Sequence, residues 1–160
     1  DPAERLVHAL KYGGWLFLAQ FMGRRIAALS PSWAERPLVV PVPTTPRRRR
    51  ARGYNQAKVL AVVVARELGL SLVDALERRD GRTQVRLTPR SRAENVRGAF
   101  RPLRPFCSRT KGREVILIDD VLTTGATAVS AALALGEGGA SGVHLFTFAR
   151  ALPFSDMEWS

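Results

Sequence analysis

Cysteine is nearly absent from this sequence: among 160 residues only Cys107 carries a thiol. No intrachain disulfide can form, so a disulfide-stapled secreted scaffold is excluded. The two histidines, His8 and His144, lie far apart and give no usual zinc spacing with Cys107. A cytoplasmic setting is the resulting expectation. Long hydrophobic runs are missing too. The longest apolar stretch, Trp15 to Gly23, is interrupted by Gln20 and ended by Arg24-Arg25, which is too short to cross a bilayer. No membrane insertion is therefore expected. The stretch has only a superficial likeness to the apolar part of a signal peptide, because no cleavage pattern follows and Pro31 closes it. The first residue is Asp1 and not Met, which leaves removal of an upstream piece as an expectation.

Acidic residues are scarce where basic ones are dense. Between Arg47 and Arg113 there are 19 Lys and Arg against five Asp and Glu, a net charge of +14 within a chain total of +11. The rest of the chain is slightly acidic. A regional imbalance of this kind points to a focused anionic partner, either a pyrophosphate-bearing small molecule or nucleic acid. Aromatic residues in the same region are few (Tyr54, Phe100 and Phe106), which works against base stacking on single strands. Helix-turn-helix and zinc-finger patterns are absent.

What is present is enough for one globular domain with a proper core, since 46% of the residues are hydrophobic. We expect a single domain over 1–160, with a helical part over 1–36 and a core over 37–150. The pattern predicts a helix from Pro2 to Lys11-Tyr12, broken by Gly13-Gly14, and a second from Trp15 to Leu29. Lys11-Tyr12, at a helix end beside two glycines, is placed to reach a site or to stay in solvent. Leu38 to Val40 reads as a strand stopped by Pro41-Val42-Pro43, with Thr44-Thr45-Pro46 continuing as loop. Five arginines follow within residues 47–52. Their planar forks suit phosphate oxygens, Arg52 above all. Ala57, Leu60, Ala61, Val64 and Leu68 recur at helical spacing, so Tyr54 to Leu68 is predicted helical. Ser71 to Val73 is a short strand. Residues 77–98 lose periodicity and read as an arginine-rich segment that is either a functional loop or disordered. Leu103 to Arg113 reads as a connector.

The chain is organised around Val115-Ile116-Leu117-Ile118-Asp119-Asp120-Val121-Leu122-Thr123-Thr124-Gly125-Ala126-Thr127. Its apolar start reads as a strand buried on both faces of a parallel sheet. Two carboxylates stand at the strand's carboxyl end, followed by a hydroxyl- and glycine-rich turn and, from Ala128, an Ala/Leu-rich helix. Open α/β sheets bind ligands at this place. A helix N-terminus attracts phosphate, Gly125 permits a tight turn, and the threonines offer donors. Asp119 and Asp120 only accept when ionised, so they suit sugar hydroxyls or a hard cation such as Mg2+. The stretch reads as a site for a phosphorylated sugar. A capped helix behind a buried strand explains one aspartate, but not two followed by three threonines in five residues.

Gly136 to Gly142 imitates a dinucleotide fingerprint but ends a helix and precedes a strand, so it reads as a helix cap and turn. Val143 to Ala149 is predicted to be another buried strand, with His144 a core or edge histidine.

The central segment resembles the 13-residue phosphoribosyl pyrophosphate (PRPP) motif of type I phosphoribosyltransferases. Lys11-Tyr12, Pro41-Val42-Pro43, Arg52-Gly53-Tyr54-Asn55-Gln56-Ala57, Thr83-Gln84, Arg92, Asn95, Gly98 and Phe100 precede it in an order similar to the ComF family, a branch associated with DNA uptake in competent bacteria. The resemblance covers residues 6–150. It implies an α/β fold of the type I phosphoribosyltransferase kind: a central parallel sheet flanked by helices, with N-terminal helices and a flexible arginine-rich loop. It implies Asp119 and Asp120 on the ribose and, directly or indirectly, on Mg2+. It further implies Thr123, Thr124, Gly125, Ala126 and Thr127 on the 5′-phosphate, with Val121 and Leu122 also among the PRPP-binding residues. Pro43, Thr44 and Arg52 would take the pyrophosphate, and Arg82, Gln84, Arg92 and Asn95 would lie on the closing loop. Asp119, Asp120 and Arg52 are the implied catalytic residues of a phosphoribosyl transfer that releases pyrophosphate. In some members of the superfamily a carboxylate two residues before the glycine acts on the base. Here that position is Thr123, so that route is absent. The acceptor is left open. So are a non-catalytic PRPP- or nucleotide-binding regulator, a nucleic-acid-binding role for residues 47–113, and a homodimer. Family members often carry an upstream four-cysteine zinc ribbon, which this sequence does not supply.

Overall fold

The computed structural model describes residues 2–12, 17–79 and 98–150. Two helices come first, α1 (Pro2–Tyr12) and α2 (Leu18–Ala27). Then follow β1 (Leu38–Pro41), α3 (Pro46–Arg52), α4 (Gln56–Leu68), β2 (Ser71–Leu72), β3 (Leu76–Arg78) and β4 (Phe100–Pro102). The chain continues through α5 (Arg104–Thr110), β5 (Glu114–Leu122), α6 (Ala126–Glu137) and β6 (Gly142–Arg150).

The sheet has four parallel strands in the order β2-β1-β5-β6, and β3 and β4 pair separately as an antiparallel ribbon. This is the expected parallel sheet flanked by helices. Val39, Val40 and Val115 to Ile118 are wholly buried, as strands covered on both faces must be. Alternation along β5 divides the core. Ile116 and Ile118 join Val39 against α1, α2 and α4, while Val115 and Leu117 join Val40 against α6 and the β3–β4 ribbon. Helices α2 and α4 approach closely at Gly23, where a Cβ would lie 2.6 Å from the Val63 Cβ.

Register positions the ligand edge. Pro41 at the end of β1 pairs with Ile118, and the Val42 N–H donates to the Ile118 carbonyl at 2.9 Å. Strand β5 runs on alone beside β6, with Asp119 opposite Thr147 and Leu122 opposite Arg150. The acidic pair thus lies inside β5 and overhangs β1, rather than following the strand as the sequence predicted.

Other elements depart from expectation. The arginine run, to which the sequence assigned no element, forms helix α3 and takes in Pro46 from the predicted loop. The Thr45 hydroxyl caps it by accepting from the Arg48 N–H at 3.2 Å, Pro46 stands at its first turn, and Gly53 closes it at φ 80°. Arginine is a good helix former, so local propensity and caps suffice without an apolar stripe. The aperiodic segment begins in strand β3, which pairs with β4 just beyond the segment's end, Arg78 opposite Phe100. Strands this short carry no visible period. Helix α5 replaces the predicted connector. Helix α2 begins and ends inside the predicted span, and α4 starts at Gln56 behind its Asn55 cap. Strand β6 is half-exposed along its length and lies at the sheet edge, not in the interior. Its His144 ring packs edge-on against Trp33, with Glu114 3.7 Å away. No helix among the described residues is long and apolar enough to cross a membrane.

Candidate phosphoribosyl site

The ends of β1 and β5 border a cleft of about 370 Å³ that contains the acidic pair. Asp119, Asp120, Val121, Thr123 and Thr127 reach it from the central motif, and Pro43, Thr44 and Arg52 reach it from the β1–α3 side. Leu122, Thr124, Gly125 and Ala126 do not line it. Leu122 stays in the ladder with β6, while Gly125, at φ 78°, turns the chain into α6. The Thr124 hydroxyl accepts from the Ala126 N–H at 3.4 Å and so braces that turn. The helix also starts two residues earlier than predicted, at Ala126. Its first turn holds no acidic side chain, and its N–H groups carry a partial positive charge. Arg82, Gln84, Arg92 and Asn95 lie outside the described residues.

The segment Arg52 to Gln56 is the joint that holds the cleft. Arg52 donates through Nη1 to the Gln56 side-chain oxygen at 3.2 Å, and Gln56 is buried. Asn55 donates through Nδ2 to the Val42 carbonyl at 3.0 Å and accepts from the Ala57 N–H at 3.2 Å, so one side chain ties the end of β1 to the start of α4. The Tyr54 hydroxyl donates to the Leu10 carbonyl in the last turn of α1. Leu10 is fully buried, and the next residue, Lys11, brings its ammonium 2.8 Å from Asp120 Oδ2.

Sequence reasoning gave no site role to Arg78 and left Arg48 and Lys11 undecided. All three line the cleft. Arg78 is aimed there by strand pairing, with its guanidinium 5.2 Å from the centre of the Phe100 ring. Only the β3–β4 pairing could have revealed it, and that pairing is non-local. The helix end beside two glycines was the available signal for Lys11.

Charge is crowded here. Burial, reinforced by the neighbouring Asp120 carboxylate, pushes the Asp119 carboxyl up to about 7, against a smaller downward pull from Lys11. Burial also lowers the Arg78 guanidinium from its ordinary value, as does Arg48, while Asp119 opposes the shift. The Asp120 side chain is 5% exposed, and its Oδ2 accepts no directed hydrogen bond among the described residues. The Lys11 contact is therefore one of charge, off the hydrogen-bond axis. Two adjacent carboxylates, one with an oxygen that accepts no directed hydrogen bond and is met only by Lys11, have the donor chemistry of a hard cation that takes oxygen ligands. No group of three or more His, Cys, Asp or Glu among the described residues forms a cage, so a cation here would complete its shell with water or ligand oxygens.

A larger groove of about 890 Å³ continues from Pro43 and Thr44 along α4. It does not include the acidic pair, and its Lys58 and Asp74 are paired with each other. We therefore assign the chemistry to the smaller cleft.

Comparison with known proteins identifies the family and the fold. The phosphoribosyl transferase domain model matches residues 55–153. The chain is 32% identical over 160 residues to the DNA utilization protein YhgH of Escherichia coli K12, covering 94% of this chain and 68% of that protein. It is 31% identical over 115 residues to competence protein F of Haemophilus influenzae, covering 71% of this chain and 50% of that one. A solved structure of the allosteric regulatory enzyme of purine biosynthesis matches with a TM-score of 0.58 at 23% identity, over 81% of this chain and 25% of that enzyme, a likeness of fold. The chain thus spans half of that competence protein and a quarter of that enzyme. Fold, motif order and relatives converge: the chain belongs to the ComF family of the type I phosphoribosyltransferase superfamily.

Proposed function

We propose that the cleft binds PRPP and that the protein transfers its phosphoribosyl group to an acceptor, releasing pyrophosphate. The observation that carries this is the division of charge in one cleft: two adjacent carboxylates, Asp119 half-buried and Asp120 buried, beside a helix N-terminus and faced by Arg48, Arg52 and Arg78. Asp119 and Asp120 would accept from the ribose hydroxyls. Thr123, Thr127 and the first turn of α6 would hold the 5′-phosphate. In the transfer, a bond forms from the acceptor to C1 as the bond from C1 to the pyrophosphate oxygen breaks, and the leaving group takes the electron pair. The acceptor's proton passes to solvent. Negative charge then grows on the pyrophosphate, where Pro43, Thr44 and the three arginines lie, so fixed cations lower the barrier. Mg2+, held by Asp119 and Asp120 together with ligand oxygens, would add further charge neutralisation. A cytoplasmic setting goes with this reading.

Titration calorimetry with PRPP, with and without Mg2+, tests it. Micromolar binding, about −8 kcal/mol, is expected, with loss in the Asp119→Ala/Asp120→Ala double variant. Unchanged affinity in that variant removes the reading. Pyrophosphate release upon acceptor addition separates an enzyme from a PRPP-binding regulator.

Helix α3 favours a second function at the same face. Arg47 to Arg50 are all exposed on seven residues of helix, and the relatives carry names from DNA utilization and competence. Contact with a nucleic-acid backbone would give an affinity that falls steeply with salt. A flat salt dependence, or no change after Arg47→Ser/Arg50→Ser, counts against it.

A further inference from the structure

Among the described residues the buried polar side chains are Gln56, Thr110, Asp120 and Ser130, so Asp120 is the one charged member. A buried carboxylate without a cation is unstable. Its cation here comes from the protein itself: Lys11 Nζ at 2.8 Å from Oδ2. The lysine is not a loose surface side chain. It is 23% exposed, its helix packs Val7 and Leu10 into the core, and the Tyr54 hydroxyl fixes the carbonyl immediately before it. A divalent ion bound to Asp120 through Oδ2 would stand about 2.0–2.1 Å from it, in the space the ammonium occupies. Ammonium and metal cannot share that place.

We propose that Lys11 is a built-in counter-ion that keeps divalent metal off the acidic pair of the free protein, and that Tyr54 is the positioning residue that holds it there. Resting on the phosphoribosyl reading, the consequence is that the ligand's anionic oxygens draw Lys11 away from Asp120 and free its carboxylate. The free protein then commits no metal to an empty site. The exclusion of metal itself does not depend on which ligand the cleft takes.

The test is Mn2+ binding to the full chain without any phosphorylated ligand, followed by the paramagnetic resonance of free Mn2+. Lys11→Met keeps the aliphatic stem and removes the charge. It should bind Mn2+ about tenfold or more tighter than the unaltered protein, as expected when one ion of a buried pair is removed. Lys11→Arg should restore exclusion. Tyr54→Phe should move partway toward Lys11→Met. Adding Asp120→Asn to Lys11→Met should abolish the gain. Equal Mn2+ binding with and without Lys11, whether tight or absent, overturns the proposal, as does a gain that survives Asp120→Asn. Thermal melts of each variant separate misfolding from the effect, and the Lys11→Arg rescue keeps the test decisive if Lys11→Met is destabilised. A protein that ignores PRPP but gains Mn2+ in Lys11→Met would refute the phosphoribosyl assignment and leave the counter-ion intact.

Discussion

Asn55 and Val42 are joined by a hydrogen bond of 3.0 Å, from the Asn55 carboxamide to the Val42 carbonyl, although 13 residues separate them. The same carboxamide caps α4 through the Ala57 N–H. The floor of the cleft and the helix behind it therefore share one fastening. Asn55→Ala should lower stability by about 1 kcal/mol for the lost cap, with a further loss for the stranded carbonyl. Affinity for PRPP should fall with it, since Pro43 and Thr44 are released. Denaturant unfolding and calorimetry on one preparation check both, and a stability loss without any change in binding would detach the joint from the site.

Asp119 makes stability depend on pH in an uncommon direction. Its carboxyl is raised to about 7 in the folded chain, from an ordinary value near 3.8. Between those two values the folded state holds more protons than the unfolded one, so stability falls as pH rises from about 4 through about 7. Asp119→Asn should remove that slope and gain stability at pH 8 in the metal-free protein. Ligand binding should run the opposite way, because a ribose hydroxyl needs an ionised acceptor: affinity rises as pH rises through about 7. Melting and calorimetry between pH 5 and pH 8 would show both slopes, and a flat stability profile for the parent protein contradicts the assignment.

Arg78 should distinguish the two ends of the ligand. Arg78→Gln removes a cation from the leaving-group wall. It should weaken PRPP by about tenfold, the scale of one charge-assisted contact, and leave ribose 5-phosphate nearly unaffected. Equal losses for both ligands would move Arg78 away from the pyrophosphate.

The sequence made the sheet legible because β1 and β5 are continuous apolar runs, and made the acidic pair legible because two carboxylates at such a run have no structural purpose. The helix α4 was visible in its three- and four-residue spacing. Helix α3 was hidden because its information lies in caps, Thr45 and Gly53, while its body has only charge. Strands β3 and β4 were hidden because three residues cannot display a period and their partner lies more than 20 residues away. Arg78 was lost along with them. The meeting of Lys11 and Asp120 joins residues more than 100 positions apart, and no local pattern encodes such a distance.

The overhang of β5 past β1 has a mechanical consequence. Among the described residues, β5 beyond Ile118 pairs with β6 alone, and β6 has no sheet neighbour on its other side. The carboxylates stand on a cantilever whose support is the outermost strand. A tilt of β6, whether imposed by a substitution near Thr147 or by a chain laid along its open edge, would reach Asp119 before the rest of the core. Tuning of this cleft is therefore open from the edge of the sheet, with no contact to the ligand at all.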